Sequence, residues 1–303
     1  MQPKRIFGNS AALLAMALRN PMRDTRFDPE KFAKIMARDP APRRFVIFFT
    51  PRSGSSRIND LARQTRALGR PGELFNPELM TGIGQSVSAR NRAEYVQLVL
   101  RQLRTGDVFG CQATYMHIVL NFGTGGRFLR ALRPAQTIWL IRQDIVAQAV
   151  SISRMMQTRQ SHSVYVAPAD LAAAESRFAY EPAVIHSALR RLRWMERRTE
   201  ALIARADLTP LRLSYEQSIA LPPEALMQAI AEHVGAGPLP GGALETGHKK
   251  MSGSRSADFA ARFRAENVEM IARIDADRAA MLAALDRRLA PGALPGVTGE
   301  NVP

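Results

Sequence analysis

The segment Pro51-Arg-Ser-Gly-Ser-Ser56 brings one guanidinium, three hydroxyls and a glycine into six residues. Ahead of it, Phe45 to Thr50 is an apolar run rich in aromatic and β-branched residues, the pattern of a strand buried on both faces. Behind it, Ile58, Leu61, Ala62, Thr65 and Leu68 recur with helical spacing. A strand, a tight turn of small residues and a helix N-terminus form a cradle for anions, because free backbone N–H groups and the positive end of the helix dipole converge there. Arg52 adds a full charge in a fork that matches phosphate or sulfate. No Gly-Lys-Ser/Thr follows, so the lysine and the Mg-binding hydroxyl of a Walker loop are both missing, which disfavours a nucleotide kinase. The same residues also suit an ordinary strand–helix turn.

Two further features sit at comparable places. Glu73 is the carboxylate of the Gly/Pro-rich stretch Gly69-Arg-Pro-Gly-Glu-Leu-Phe-Asn-Pro77, from which it could fold back over the first strand's end. Arg142 closes a second buried strand, Thr137 to Ile141, and Ser151 follows nine residues later, about two and a half helical turns on. Both could grip one phosphate. Two well-separated anion sites and one carboxylate point to a ligand with two anionic groups and a reaction that needs a base. Each residue also has a plainer reading: Glu73 as a solvated carboxylate, Arg142 as a helix cap or a partner of Asp144, Ser151 as a hydroxyl bonded to its own backbone. His117, His162 and His186 read as surface or core histidines, Met155 and Met156 as core, and Lys249-Lys250 as a solvated charge run.

The elements that must position these groups alternate. After the first strand and helix come helical spacing at 93–104, a strand at 108–113, a glycine-bearing loop leading into 128–132, and the strand 137–141. A helix from Asp144 carries Ile145, Ala149, Ile152 and Met156 on one stripe. A long helix over 182–206, a strand at 211–215, a helix at 223–234, a loop at 238–247 and one last long helix at about 257–289 complete the core. Strands alternating with helices imply a doubly wound parallel sheet, whose ligand crevice lies at the carboxyl ends of the strands.

The chain has 303 residues, of which 42 are Lys or Arg and 27 Asp or Glu, a net charge of +15. That balance fits nucleic acid, an anionic membrane or a polyanionic small ligand. The basic residues are dispersed, and no zinc-finger, RNP or helix-turn-helix spacing stands out. The densest cluster, Arg190, Arg191, Arg193, Arg197 and Arg198, reads as the solvated face of an amphipathic helix. No apolar run reaches the ~20 residues of a bilayer span. The patch Ala11 to Leu18 is short and reads as an amphipathic helix or packing arm rather than a signal peptide. The single cysteine, Cys111, excludes an internal disulfide and a zinc cluster, which favours a reducing compartment, the cytosol. The basic N-terminal segment allows contact with the inner face of a membrane. Oligomeric state, a homodimer included, is open.

At this point three stretches carry a resemblance: Pro51-Arg-Ser-Gly-Ser-Ser56, Gly69-Arg-Pro-Gly-Glu-Leu-Phe-Asn76 and Ile141-Arg-Gln-Asp-Ile-Val-Ala-Gln-Ala-Val-Ser-Ile-Ser-Arg-Met-Met-Gln-Thr158. In order and spacing, over about residues 45–265, they resemble the bacterial carbohydrate sulfotransferases of the trehalose 2-sulfotransferase type, related to nodulation-factor and lipopolysaccharide sulfotransferases. The resemblance implies a P-loop-like, doubly wound parallel sheet flanked by helices, of sulfotransferase type. Basic, Pro-punctuated composition marks residues 1–43 as an N-terminal extension and the Pro/Gly-containing stretch 291–303 as a mobile tail, leaving 44–290 as the sulfotransferase domain. The resemblance implies the donor 3′-phosphoadenosine 5′-phosphosulfate (PAPS; product PAP), with the 5′-phosphosulfate on Arg52, Ser53, Gly54, Ser55 and Ser56 and the 3′-phosphate on Arg142 and Ser151. Glu73 becomes the general base and Arg52 the stabiliser of the departing phosphate, while Lys249, Lys250, Ser254 and Arg255 become candidates for closing over the nucleotide. The acceptor would be a small-molecule or glycolipid hydroxyl, with no metal and no nucleic acid. Three positions depart from the family pattern: Gln112 where relatives commonly have Lys, Arg159-Gln-Ser-His162 in place of an aromatic residue, and Arg57 at a usually apolar position. The alternative is a non-catalytic, basic nucleotide- or nucleic-acid-binding protein.

Overall fold

The sheet is organised around β1 (Arg43–Phe49), whose last five residues are all buried. In the computed structural model, which describes residues 20–23, 25–133, 135–158, 176–247 and 254–290, β1 pairs in parallel with β2 (Val108–Ala113) on one side and β3 (Gln136–Ile141) on the other. β4 (Leu211–Ser214) adds to β3, giving the order β2-β1-β3-β4. Parallel neighbours cannot be joined by tight hairpins, and helices make every crossover here. From β1 to β2 the chain passes through α2 (Ser55–Gln64), α3 (Pro77–Val87) and α4 (Arg92–Gln102). From β2 to β3 it passes through α5 (Tyr115–Phe122) and α6 (Gly125–Leu132), and from β3 to β4 through α7 (Ile145–Thr158) and α8 (Pro182–Arg205). α1 (Pro29–Met36) precedes the sheet; α9 (Tyr215–Ala220), α10 (Pro223–Val234), α11 (Ser254–Glu266) and α12 (Val268–Ala283) follow it.

Alternation along β1 splits the core. Val46 and Phe48 face one side, packed with Phe75, Tyr95, Phe128 and Trp139. Phe45, Ile47 and Phe49 face the other, with Ile58 and Leu61 of α2 and Met227 and Ile230 of α10. Helices therefore cover both faces, which explains why the strands read as continuous apolar runs. A third cluster joins α7, α8 and α11 through Val146, Ile185, Leu192 and Phe263. Part of the stretch read as an N-terminal extension contributes to the core, since Met22, Ile35 and Ala41 are buried.

The expected single helix over 257–289 is two helices. Asn267 breaks it with a non-helical backbone (φ −136°, ψ 38°) between α11 and α12, and its side chain donates to the Phe263 carbonyl at 2.9 Å. The break lets α12 turn back toward α8 and the end of β3.

The basic face expected of α8 is also different. Arg193 is buried, its guanidinium paired with Glu196 and with Asp277 of α12, which also binds Arg197 at 2.9 Å. The tertiary packing of α12 converts part of a solvated charge run into an internal ion-pair network. No helix among the described residues is long and apolar enough to cross a membrane.

Candidate functional site

The chain leaves β1 toward β2 on one side and comes back to β3 on the other, so the carboxyl ends of β1 and β3 form the switch point of the sheet, where open α/β folds place ligands. The β1–α2 turn lies there. Arg52 adopts a left-handed backbone (φ +67°) and Gly54 another (φ +86°). Gly54 is required twice over: its φ suits glycine, and a Cβ there would lie 2.7 Å from Cδ2 of Tyr215. Gly54 caps α2 without any side-chain hydrogen bond, and while the Arg57 N–H turns to the Gly54 carbonyl at 3.1 Å, the Ser55 and Ser56 N–H groups keep their anion-binding capacity. Ser53 is fully buried and its Oγ has no hydrogen-bond partner among the described residues. A buried, unpartnered hydroxyl beside an uncapped helix start is the arrangement an anion would complete.

Two glutamines hold the turn in shape. Gln148 of α7 donates from Nε2 to Thr50 Oγ1 (2.9 Å) and to the Pro51 carbonyl (2.7 Å). Gln112 of β2 donates to the Ser55 carbonyl at 2.8 Å, while its backbone N–H binds the Gly72 carbonyl at 2.8 Å. Where the resemblance suggests a lysine, this chain thus has a neutral tie between the anion loop and the Glu73 loop. Arg57 donates to the Ser218 carbonyl at 2.7 Å, which accounts for a charge at a position expected to be apolar.

The two anion sites expected to be well separated lie next to each other. Arg52 Nε donates to Ser151 Oγ at 3.0 Å, so Ser151 sits beside the β1 loop as well as on the helix that follows Arg142. Burial lowers the pKa of Arg52, and the positive charges of Arg142 and Arg154 lower it further. A buried guanidinium that feels two other positive charges is one that a bound anion stabilises. Arg142 lies 4.9 Å above the Tyr215 ring and 3.9 Å from Glu216, too far for a hydrogen bond, and its buried Nε has no hydrogen-bond partner among the described residues. It neither caps α7 nor pairs with Asp144: Asp144 accepts from the Ala147 N–H (2.8 Å) and from Arg264 (2.5 Å).

The β3 end is clamped from α12. Arg278 is fully buried, donating to the carbonyls of Arg142 (2.5 Å) and Gln143 (2.7 Å) and, through Nε and Nη2, to the equally buried Glu196 (3.1 Å each). Glu216 accepts the N–H groups of Gln143 and Asp144 from the opposite side. Removing one member of a buried ion pair strands the other, at a cost of about 3–5 kcal/mol. Arg278→Met is therefore expected to lower the urea midpoint strongly, with the double variant Arg278→Met/Glu196→Met less destabilised than the two single losses added together.

Glu73 lies across the crevice. Its Oε2 accepts from Asn76 Nδ2 at 2.9 Å and lies 4.0 Å from His117 Nε2. Burial raises its pKa above the ordinary carboxylate range, against the lowering effect of the Asn76 hydrogen bond. The side chain keeps 30% of its exposure, so it is open to solvent. The loop itself is pinned: Tyr95 hydrogen-bonds the Leu74 carbonyl, and Asn121 the Phe75 carbonyl at 2.8 Å.

Arg52, Ser53, Gly54, Ser55, Ser56, Arg142 and Ser151 thus lie together at the ends of β1 and β3, linked by the Arg52–Ser151 bond and by Tyr215, against which both Gly54 and Arg142 pack; the positive charge of Arg154, three residues after Ser151, acts on Arg52. Ser254 opens α11, where Arg255 reaches the carbonyls of Ser176 and Phe178 at 3.3 Å each. Lys249, Lys250 and His162 lie outside the described residues. Gln148, Tyr215 and Arg278 escaped sequence reasoning; Gln148 alone had a hint, three residues before Ser151 on the same helix face.

The chain belongs to the Stf0 sulphotransferase family, whose model matches residues 44–266. A search of curated proteins finds no match.

Proposed function

We propose that this sulfotransferase moves a sulfuryl group from PAPS to a hydroxyl of a carbohydrate or glycolipid acceptor, with Glu73 as general base. The observation that carries the proposal is that Arg52 bonds Ser151 while Arg142 and Gly54 both pack on Tyr215, beside a buried Ser53 Oγ and Arg142 Nε that have no hydrogen-bond partner among the described residues. A ligand with two anionic groups fits that donor set, and a simple monoanion would leave part of it unsatisfied.

In this reading the α2 N-terminus, Arg52, Ser53, Gly54, Ser55 and Ser56 hold the phosphosulfate, and Arg142 with Ser151 holds the 3′-phosphate. When bound, PAPS supplies the sulfuryl group and a phosphate leaving group. Arg52 and the loop N–H groups stabilise the charge that builds on the departing oxygen, already oriented before reaction. Glu73 takes the proton of the acceptor hydroxyl; its raised pKa makes it a stronger base than an ordinary carboxylate. Sulfuryl transfer carries less charge than phosphoryl transfer, so the guanidiniums suffice without a metal. Ser254 and Arg255, with Lys249 and Lys250 nearby in sequence, are the candidates for closing over the nucleotide. The working domain extends over 44–290, with Met22, Ile35 and Ala41 packed into its core from ahead of it; it reaches past the matched segment because α12 supplies Arg278. For a glycolipid acceptor, the basic residues ahead of the domain attract the chain to an anionic membrane surface on the cytoplasmic side.

Sulfur-35-labelled PAPS offered with a panel of sugars and glycolipids tests this reading. The expected result is labelled sulfate ester on one acceptor with equimolar release of PAP. Salt-sensitive binding to nucleic acid without any PAP release would instead select the non-catalytic binding protein.

A further inference from the structure

His117 has a feature that a core histidine does not need. It occupies the third position of α5 in a capping box, its Nδ1 accepting the Thr114 N–H at 3.4 Å while Thr114 Oγ1 accepts the His117 N–H at 3.2 Å. With Nδ1 used as an acceptor, the proton of the neutral ring sits on Nε2. That Nε2 faces Glu73 Oε2 at 4.0 Å. The separation is too long for a direct hydrogen bond, yet it suits an oxygen about 2.8 Å from both atoms, which would be seen under an angle of about 90°.

We infer that His117 is a second catalytic group of the transfer, donating its Nε2–H to the acceptor hydroxyl oxygen while that hydroxyl's own proton points at Glu73. The inference rests on Glu73 being the base. As the acceptor oxygen attacks, the O–S bond forms and the hydroxyl proton passes to Glu73 Oε2. The bond from sulfur to the 5′-phosphate oxygen breaks, its electron pair staying on that oxygen, and His117 keeps its proton throughout. Its role is to fix the hydroxyl so that the remaining lone pair is free for sulfur. Among the described residues, Glu73, the Thr114 backbone and the Phe49 ring, tilted at 65° with centroids 6.3 Å apart, face the imidazole. Burial pushes the imidazole down to about 4, so it is neutral and a donor, not a cation, wherever Glu73 is ionised.

The usual residue at this capping position is Glu or Gln, which supplies the test. His117→Gln keeps both the cap acceptor and an N–H donor; His117→Glu keeps only the cap and sets a second carboxylate beside Glu73; His117→Leu keeps neither. Transfer from PAPS is measured with trehalose as a probe acceptor and with water, which is always present as an acceptor. The expected order is Gln within about 10-fold of the parent, and Glu and Leu lower by about 100-fold or more, with PAP affinity of the Gln and Leu variants unchanged. Nitrogen-15 NMR of the unliganded protein is expected to show the His117 ring neutral at pH 6, with Nδ1 bare and Nε2 protonated. A Glu variant as active as the Gln variant, or a proton on Nδ1, overturns the inference. Glu73→Gln assayed alongside separates the failures: near-normal turnover there sinks the base reading and this inference together, whereas an inactive Glu73→Gln with an active His117→Glu sinks this inference alone.

Discussion

Glu73→Gln is expected to lower kcat by about 10²–10⁴-fold, the range a positioned general base contributes, while PAP binds as before. The substitution keeps the size of the side chain and a hydrogen-bonding partner for Asn76, and it removes only the proton acceptor. Burial raises the Glu73 pKa, so the activity of the parent enzyme is expected to fall on the acid side through an apparent pKa above the ordinary carboxylate range. The same shift has a consequence for stability. A carboxyl whose folded pKa exceeds its unfolded value makes the native state the better proton binder, so its effect on stability becomes unfavourable as pH rises from the unfolded value through the folded one. At neutral pH, Glu73→Gln is therefore expected to melt at the same temperature as the parent or higher. An inactive variant that is also less stable would point to a structural carboxylate; a stable, inactive one supports the base.

Arg52 gives the second large effect, and its backbone allows a cleaner experiment than alanine. The residue holds φ at +67°, a conformation that costs a side-chain-bearing residue roughly 1–2 kcal/mol. Arg52→Gly removes that strain together with a charge already disfavoured by burial and by Arg142 and Arg154. It is expected to fold at least as stably as the parent, yet to lose about 10²–10³-fold in kcat, the scale of removing one preorganised donor from a developing anion. Arg52→Lys restores charge without the fork and recovers only part of the loss. A strained, self-repelling arginine at a strand switch point is a local cost that ligand binding offsets, the pattern expected of functional rather than structural residues.

How much of this was legible in the chain depended on how local the signal was. The strands at 45–50, 108–113 and 137–141 announced themselves as apolar runs because both faces of a parallel sheet are buried. The β1–α2 turn was legible as a turn because Pro51 and Gly54 interrupt the apolar run, whereas its anion-binding reading stood beside that of an ordinary strand–helix turn. Arg142 and Ser151 were legible as separate candidates, but not as neighbours of Arg52: the Arg52–Ser151 hydrogen bond spans 99 residues and depends on the order in which β3 joins β1. His117 read as an ordinary histidine for the same reason, since its partner Glu73 lies on another crossover. Arg278 was less legible still. It sits in a stretch read only as part of one long helix, and the break at Asn267, which that reading lacked, turns it into the clamp on the Arg142 carbonyl.

The central claim is that the crevice is built for a nucleotide with both a 5′- and a 3′-anion. Calorimetric titration with PAP, set against adenosine 5′-phosphate, tests it most directly. The account predicts that PAP binds at least about tenfold more tightly, a difference of roughly 1.4 kcal/mol, and that Arg142→Ala erases the difference while leaving adenosine 5′-phosphate binding nearly unchanged. Equal affinity for the two nucleotides, or a preference that survives Arg142→Ala, would contradict it.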